Sequence, residues 1–135
     1  MAKKTRSTRR ASSRATLALI AHDGKKAQLV AFVKDHHDVL KKFDLVATAT
    51  TGEHVAEAGL KVRRVLSGPI GGDAQIASEV AMGRCHAVIF LRDPLGMHPH
   101  DPDISTLMRI CDVHDVPLAT NLASARLVIR GLKNN

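Results

Sequence analysis

A fivefold alternation between short apolar runs and longer helical patterns constrains the fold of this chain more than any other feature. Each run is short and largely apolar, which is typical of a strand buried on both faces. We predict a single doubly wound α/β domain with a mainly parallel five-stranded sheet flanked by helices. The predicted strands are Thr16–Ala21, Leu45–Ala49, Val62–Leu66, His86–Leu91 and Val116–Thr120.

The segments between the runs repeat apolar residues at helical spacing, and Gly59 and Gly83 mark the ends of two of them. The predicted helices are Lys25–Leu40, Glu53–Ala58, Ala74–Met82, Ile104–Val113 and about Leu122–Arg130.

The net charge of +7 comes almost entirely from the start of the chain, where no acidic residue precedes Asp23. Without the six cations of residues 1–14, 14 basic residues face 13 acidic ones. We predict a basic, disordered tail over residues 1–14 and a near-neutral domain over residues 15–135. With aromatic residues at only 2%, stacking on bases is disfavoured, so a nucleic-acid partner is expected only through the tail. Its cations are Lys3, Lys4, Arg6, Arg9, Arg10 and Arg14.

Cys85 and Cys111 fit neither a disulfide framework nor a zinc-binding spacing, and we expect both to be reduced core residues. The sequence shows no signal-peptide pattern and no apolar stretch long enough to span a bilayer. These features predict a cytoplasmic protein without a membrane segment.

Unusual polar residues follow every predicted strand. The carboxyl ends of parallel strands share one edge of the sheet, where ligands bind in open α/β folds. We therefore predict a binding site at that edge. The segments are His22–Lys26, Thr48–Gly52, Ser67–Asp73, Arg92–Pro94 with His98–Asp103, and Thr120–Asn121.

Two of these segments have the composition of a phosphate site. Thr50 and Thr51 open a helix, Ser67 and Gly68 open a glycine-rich turn, and Lys26 supplies a cation. Thr50 also forms a T-x-x-E capping box with the glutamate three residues later, and both roles can hold together. The P-loop and dinucleotide-binding patterns are absent, which argues against nucleotide hydrolysis and dinucleotide chemistry.

The acidic residues here also have purely structural interpretations. Asp73 and Asp103 each precede a helical pattern and are placed to act as N-caps, and Asp103 has the stronger pattern behind it. His100 and Asp101 lie between prolines in a stiff loop. The group His98, His100, Asp101 and Asp103 raises the question of a zinc site, but no cysteine or H-E-x-x-H pattern accompanies it. We expect no metal.

The chain resembles methylglyoxal synthase over roughly residues 16–130. The run S-G-P-x-G-G-D together with P-H-D-P-D is a specific signature, and the matching segments fall in the family's order and spacing. They are Ala21-His22-Asp23, Ala47–Gly52, Ser67–Gln75, Asp93-Pro94-Leu95 and Pro99–Asp103.

This resemblance implies a cofactor-free lyase that converts dihydroxyacetone phosphate into methylglyoxal and inorganic phosphate. It assigns Asp73 as the catalytic base, His100 as the residue that assists proton transfer and polarises the substrate, and Asp103 as a second carboxylate. It also implies a homohexamer inhibited by phosphate. The implied substrate and phosphate contacts are His22, Lys26, Thr48, Ala49, Thr50, Thr51, Ser67 and Gly68.

The chain departs from the family pattern at Ala49, where glycine is typical, and in its basic tail. It also ends at Asn135, where many relatives continue, so cross-subunit contacts and phosphate control carried by such residues are not implied. Two other functions stay open. One is a regulatory domain that binds a phosphorylated effector, which would not require the three catalytic side chains. The other is nucleic-acid binding by the tail, which would weaken steeply with salt.

Overall fold

The protein is described by a computed structural model that covers residues 14–96 and 101–133. Five strands form one sheet in the order β3-β2-β1-β4-β5, and every neighbouring pair is parallel. The predicted fold class is confirmed, and the sheet is wholly rather than mainly parallel over these residues. The strands are β1 Thr16–Ala21, β2 Asp44–Ala47, β3 Arg63–Arg64, β4 Ala87–Leu91 and β5 Leu118–Ala119.

Six α-helices connect or follow these strands, and two short 3₁₀ turns lie at Asp23–Lys25 and Gly68–Ile70. The chain crosses from one strand to the next parallel strand through helices, as parallel pairing requires. The helices are α1 Lys26–Asp35, α2 His37–Leu40, α3 Ala49–Glu57, α4 Gly72–Ala81, α5 Asp101–Val113 and α6 Leu122–Lys133.

The two faces of the sheet bury two separate apolar clusters. In β1, Leu17 and Leu19 pack into one cluster, while Ala18 and Ile20 pack into the other. This alternation follows from the two-residue period of a strand, which sends successive side chains to opposite faces. Helices α1 and α6 cover the first face, and α4 and α5 cover the second. Both faces of the central strands are therefore buried, which explains why their sequences are almost entirely apolar.

The sequence predicted the central strands more accurately than the edge strands. The bounds of β1 are as predicted, whereas β3 and β5 are two residues long instead of five. An edge strand has only one neighbour, so apolar residues beyond the paired stretch remain in loops. Helix α3 begins at Ala49, four residues before the predicted start, and the predicted first helix is interrupted at His36.

Cys85 and Cys111 are both buried in the core, as predicted. Burial raises the pKa of the Cys85 thiol to about 11, and it raises the pKa of Cys111 to about 11 as well. Neither thiol is therefore a nucleophile near neutral pH. Among the described residues, no helix is long and apolar enough to cross a membrane. Residues 1–13 of the predicted tail lie outside the described residues.

Candidate active site

An open cavity of about 510 Å³ lies at the carboxyl ends of the strands, where the polar loops were predicted to meet. Its wall combines residues that follow β1, β2, β3 and β4, so four separate loops contribute to one space. Six of the eight predicted substrate and phosphate contacts line it: His22, Lys26, Thr48, Thr50, Ser67 and Gly68.

His22 is held in one orientation from two sides. Its backbone N–H donates to the carbonyl oxygen of Leu91 over 3.1 Å, and its Nδ1 accepts a hydrogen bond from the N–H of Asp93 over 2.9 Å. The ring also meets the edge of Phe90, with the ring centres 5.0 Å apart. Because Nδ1 is an acceptor, the neutral ring carries its proton on Nε2. The imidazole is thus held in a fixed orientation beside the cavity, and its Nε2 is buried.

Lys26 supplies the positive charge of the cavity. Its Nζ donates to the carbonyl oxygen of Ala21 over 2.6 Å and lies 3.4 Å from a carboxylate oxygen of Asp23. Only 16% of the lysine side chain is exposed, whereas the aspartate is fully exposed. An ammonium group has three donors, so these contacts orient the group and leave a donor for an anionic ligand.

The amino end of α3 forms a second wall. Thr48 is the N-cap residue but makes no side-chain cap; instead its hydroxyl donates to Oγ1 of Thr51 over 3.2 Å. The same Thr51 oxygen accepts from the N–H of Ala21 over 3.3 Å, which fastens α3 to β1. The first-turn amides of a helix have no intrahelical partner and favour an anion.

The predicted capping box at Thr50 is wrong, because the helix begins one residue earlier, at Ala49, and Thr50 lies in its first turn. Thr50 is free of a capping role and lines the cavity. Ala49 and Thr51 were predicted as contacts but do not line it. Ala49 is the first helical residue, and Thr51 is fully buried behind the wall.

The turn after β3 forms the third wall and folds back tightly onto α4. The N–H of Gly72 donates to the carbonyl oxygen of Ser67 over 2.9 Å. A Cβ on Gly72 would lie only 1.9 Å from the carbonyl oxygen of Leu66, so no larger residue fits there. The N–H of Leu66 donates to Oε1 of Gln75 over 2.8 Å. Ser67 and Gly68 are therefore clamped to the first turn of α4.

Asp73 lies in that first turn, and its side chain is fully buried. It is the second residue of α4, and the N-cap position belongs to Gly71, whose φ of 112° lies in the left-handed region. The interpretation of Asp73 as an N-cap is therefore wrong. The position leaves a carboxylate inside the protein at the positive end of a helix, next to the turn that carries Ser67 and Gly68.

Asp103 is half-buried in the first turn of α5 and does not line the cavity. The interpretation of Asp103 as an N-cap is also wrong, because α5 begins at Asp101. A proline is well tolerated in a first turn, which lets Pro102 stand inside the helix. His100, the third predicted catalytic residue, lies outside the described residues, as does His98.

Asp93 also lines the cavity, although no individual role was predicted for it from the sequence. One carboxylate oxygen lies 3.2 Å from where a Cβ on Gly24 would be, so the side chain reaches across to the loop after β1. Its other oxygen accepts from the N–H of Leu95 over 3.1 Å. Its position just after β4, at the edge of the sheet where the site was predicted, is the sequence feature that could have identified it. Within the described parts of the chain, no group of three metal-binding side chains comes together.

The comparisons with known proteins agree with this geometry. The family model described as "MGS-like domain" matches residues 28–120. A methylglyoxal synthase of Thermus thermophilus is 57% identical over 118 residues, covering 87% of this chain and 94% of the relative. The chain belongs to the methylglyoxal synthase family.

Further relatives extend the same result. A methylglyoxal synthase of Burkholderia cenocepacia is 54% identical over 124 residues, which cover 91% of this chain and 95% of the relative. The crystal structure of methylglyoxal synthase from Elizabethkingia anophelis NUHP1 matches with a TM-score of 0.81 and 44% identity, covering 86% of this chain and 77% of that chain. The resemblance to methylglyoxal synthase and the fold are thereby confirmed, while the roles of individual residues stay predictions.

Proposed function

We propose that this chain converts dihydroxyacetone phosphate into methylglyoxal and inorganic phosphate, as a carbon–oxygen lyase acting on a phosphate ester. One observation supports this most strongly. A lysine ammonium, a helix amino end and a serine–glycine turn line one cavity from different sides, and that turn is clamped to the helix that carries a buried aspartate. The first three groups suit a phosphate, and the last suits proton abstraction nearby. Membership of the family supports the same reaction.

The phosphate of the substrate would lie between Lys26, the amino end of α3 with Thr50, and the turn at Ser67 and Gly68. Each of these contributes N–H, O–H or ammonium donors to the cavity. Several donors from separate elements hold a phosphate in one orientation, which fixes the direction of its ester bond relative to the rest of the substrate. Ala49 and Thr51 support this wall from behind, through the backbone of α3 and its hydrogen bond to β1.

Asp73 would remove a proton from the hydroxymethyl carbon beside the carbonyl. The electron pair of that C–H bond moves toward the carbonyl oxygen, giving an enediol-type intermediate. Groups that donate to this oxygen as charge develops lower the barrier. His100 has this role by resemblance. His22 lines the cavity and is by resemblance one of the substrate contacts.

Loss of phosphate completes the reaction. The electrons of the enediolate form a carbon–carbon double bond as the carbon–oxygen bond to phosphate breaks, and the resulting enol tautomerises to methylglyoxal. Every step is a proton transfer or a bond cleavage that leaves no change in overall oxidation, so no redox cofactor is needed. Asp103 is the second carboxylate that the family pattern assigns near the reaction centre.

Isomerisation to the aldehyde phosphate shares the first proton transfer and is the neighbouring reaction. Elimination requires the ester C–O bond to overlap with the π system of the enediolate. Family membership is the reason to choose elimination. We further propose a cytoplasmic homohexamer that phosphate inhibits, with residues 1–14 as a basic tail outside the catalytic domain of residues 15–135.

The test is an assay of purified protein with dihydroxyacetone phosphate that follows methylglyoxal, free phosphate and the aldehyde phosphate together. We expect methylglyoxal and phosphate in equal amounts. Asp73→Asn should lower kcat by about three powers of ten or more with little change in KM, because the amide cannot accept the proton. Asp112→Asn, at an exposed position on α5, is the matched control and should be normal. Near-normal turnover in Asp73→Asn would remove this residue from the mechanism.

A further inference from the structure

A second cavity, of about 440 Å³, lies at the same edge of the sheet between the ends of β4 and β5. Among the described residues, its wall contains two cationic side chains and no acidic one. The lining residues are Lys25, Gln28, Leu91, Arg92, Pro94, Thr120, Asn121 and Leu122. None of them belongs to the lining of the first cavity, so the two spaces are separate.

The guanidinium of Arg92 has few hydrogen-bond acceptors around it in the described structure. Its Nε is buried and has no hydrogen-bond partner among residues 14–96 and 101–133, and its Nη1 faces the sulfur of Met108 at 3.7 Å, which is a weak acceptor. Within residues 14–96 and 101–133, neither Arg92 nor Lys25 forms an ion pair. A partly buried guanidinium that lacks carboxylate partners loses the solvation of water without replacing it. An anion in the cavity would restore that balance.

The amino end of α6 adds further donors to the same space. Asn121 caps this helix by accepting from the N–H of Ser124 over 2.9 Å, and Leu122 begins the helix at the cavity wall. The helix is twelve residues long, so its amino end carries the partial positive charge of a full macrodipole. Lys25, Arg92 and this helix end thus add their positive potentials at one cavity.

We propose that this second cavity binds a small phosphate or phosphorylated anion, held by Arg92, Lys25 and the amino end of α6, at a site distinct from the catalytic cavity. A guanidinium suits the two oxygens of a phosphate, and the lysine adds a point charge. The volume accommodates inorganic phosphate or a small phosphorylated metabolite.

The arrangement of the two loops connects this site to catalysis. Consecutive residues line opposite cavities: Lys25 and Arg92 face the second, while Lys26 and Asp93 face the first. The N–H of Asp93 also holds Nδ1 of His22. An anion that pulls on Arg92 therefore acts on the backbone that orients His22. This consequence rests on the proposed function, whereas the binding site itself does not.

The binding experiment uses inorganic phosphate as the probe, with equilibrium dialysis of the full chain in the assembly it forms in solution. We expect two phosphates per chain for the unaltered protein. Arg92→Gln and Lys25→Gln should each weaken the second phosphate by tenfold or more and leave the first in place, while Lys26→Gln should do the reverse. Arg130→Gln, at an exposed position in the last turn of α6, removes the same charge and should retain both.

Two results would overturn the proposal. One is a single phosphate per chain that Lys26→Gln abolishes and Arg92→Gln leaves unchanged, which means that the catalytic cavity is the only phosphate site. The other is a second phosphate that neither Arg92→Gln nor Lys25→Gln weakens. Failure of the lyase assay leaves this experiment intact, because binding is measured without substrate. With active enzyme, phosphate inhibition should change from mixed in the unaltered protein to purely competitive in Arg92→Gln.

Discussion

Replacing Gly72 with alanine tests whether the clamp between the Ser67 turn and α4 is essential. The added Cβ would lie 1.9 Å from the carbonyl oxygen of Leu66, 2.8 Å from its carbonyl carbon and 3.0 Å from the carbonyl carbon of Ser67. All three atoms are backbone, so no side chain can swing away. Ordinary contact distances are about 3.5 Å, so the turn must retreat by roughly 1.5 Å. Overpacking of this kind costs about 1–3 kcal/mol of stability.

The same displacement is expected to lower the catalytic rate as well as the free energy of unfolding. Ser67 and Gly68 would move away from the first turn of α4, and with them the phosphate would move relative to Asp73. A misplacement of about 1 Å can cost on the order of a hundredfold in rate. We therefore expect Gly72→Ala to lower kcat/KM for dihydroxyacetone phosphate by about one hundredfold, measured by methylglyoxal release, alongside the loss of stability measured by urea unfolding.

Gly131→Ala is the matched control. A Cβ on Gly131, in α6, would meet nothing within 4 Å, so alanine should be neutral or stabilising by up to about 1 kcal/mol. If Gly72→Ala keeps kcat/KM within threefold of the unaltered protein and unfolds like Gly131→Ala, the clamp does not control the site.

Two further predictions concern stability and thiol chemistry. The hydrogen bond from Arg84, followed by that from Arg63, keeps the pKa of Glu79 below its usual value, so this carboxylate stabilises the fold above its unfolded pKa of about 4.3. Glu79→Gln should cost roughly 0.5–1 kcal/mol in urea unfolding at pH 7, and the difference should shrink as the pH falls below about 4; an equal difference at pH 3 would contradict the ion pairs. With the pKa of each thiol raised to about 11, Cys85 and Cys111 should be unreactive toward a disulfide reagent at pH 8 in the folded protein. Both should react fully in denaturant, and fast labelling of the folded chain would show that the burial is wrong.

The sequence was sufficient for the central fold because burial on both faces leaves a simple pattern. β1 and β4 are apolar at every position from Leu17 to Ala21 and from Ala87 to Leu91, and their bounds were predicted to within one residue. The edge strands lack this double burial, and β3 pairs through two exposed arginines. Their short length was not predictable from composition, because it depends on where pairing with β2 stops.

The start of α3 was missed for a different reason. An N-cap usually uses its own hydroxyl to accept from the helix, which is what the capping-box pattern seeks. Here the Thr48 hydroxyl donates to Thr51, which binds Ala21 on another strand. The helix therefore begins at a residue fixed by a tertiary contact, and local pattern cannot reveal it. The location of the site was predictable, because the carboxyl ends of all five parallel strands lie at the same edge of the sheet.

The two glycines at 71 and 72 explain how the seven residues Ser67–Asp73 connect the proposed phosphate-binding turn to a buried carboxylate. Gly71 has a φ of 112°, a region that other residues rarely adopt, and this reverses the chain directly after the Gly68–Ile70 turn. Gly72 then lets the carbonyl of Leu66 approach the helix more closely than any Cβ allows. The two requirements are different, one for backbone conformation and one for space. Together they place the first turn of α4, and so Asp73, against the turn that lines the cavity. The short segment from Ser67 to Asp73 therefore holds the proposed phosphate site close to the proposed base, through the N–H of Gly72 that donates to the carbonyl oxygen of Ser67.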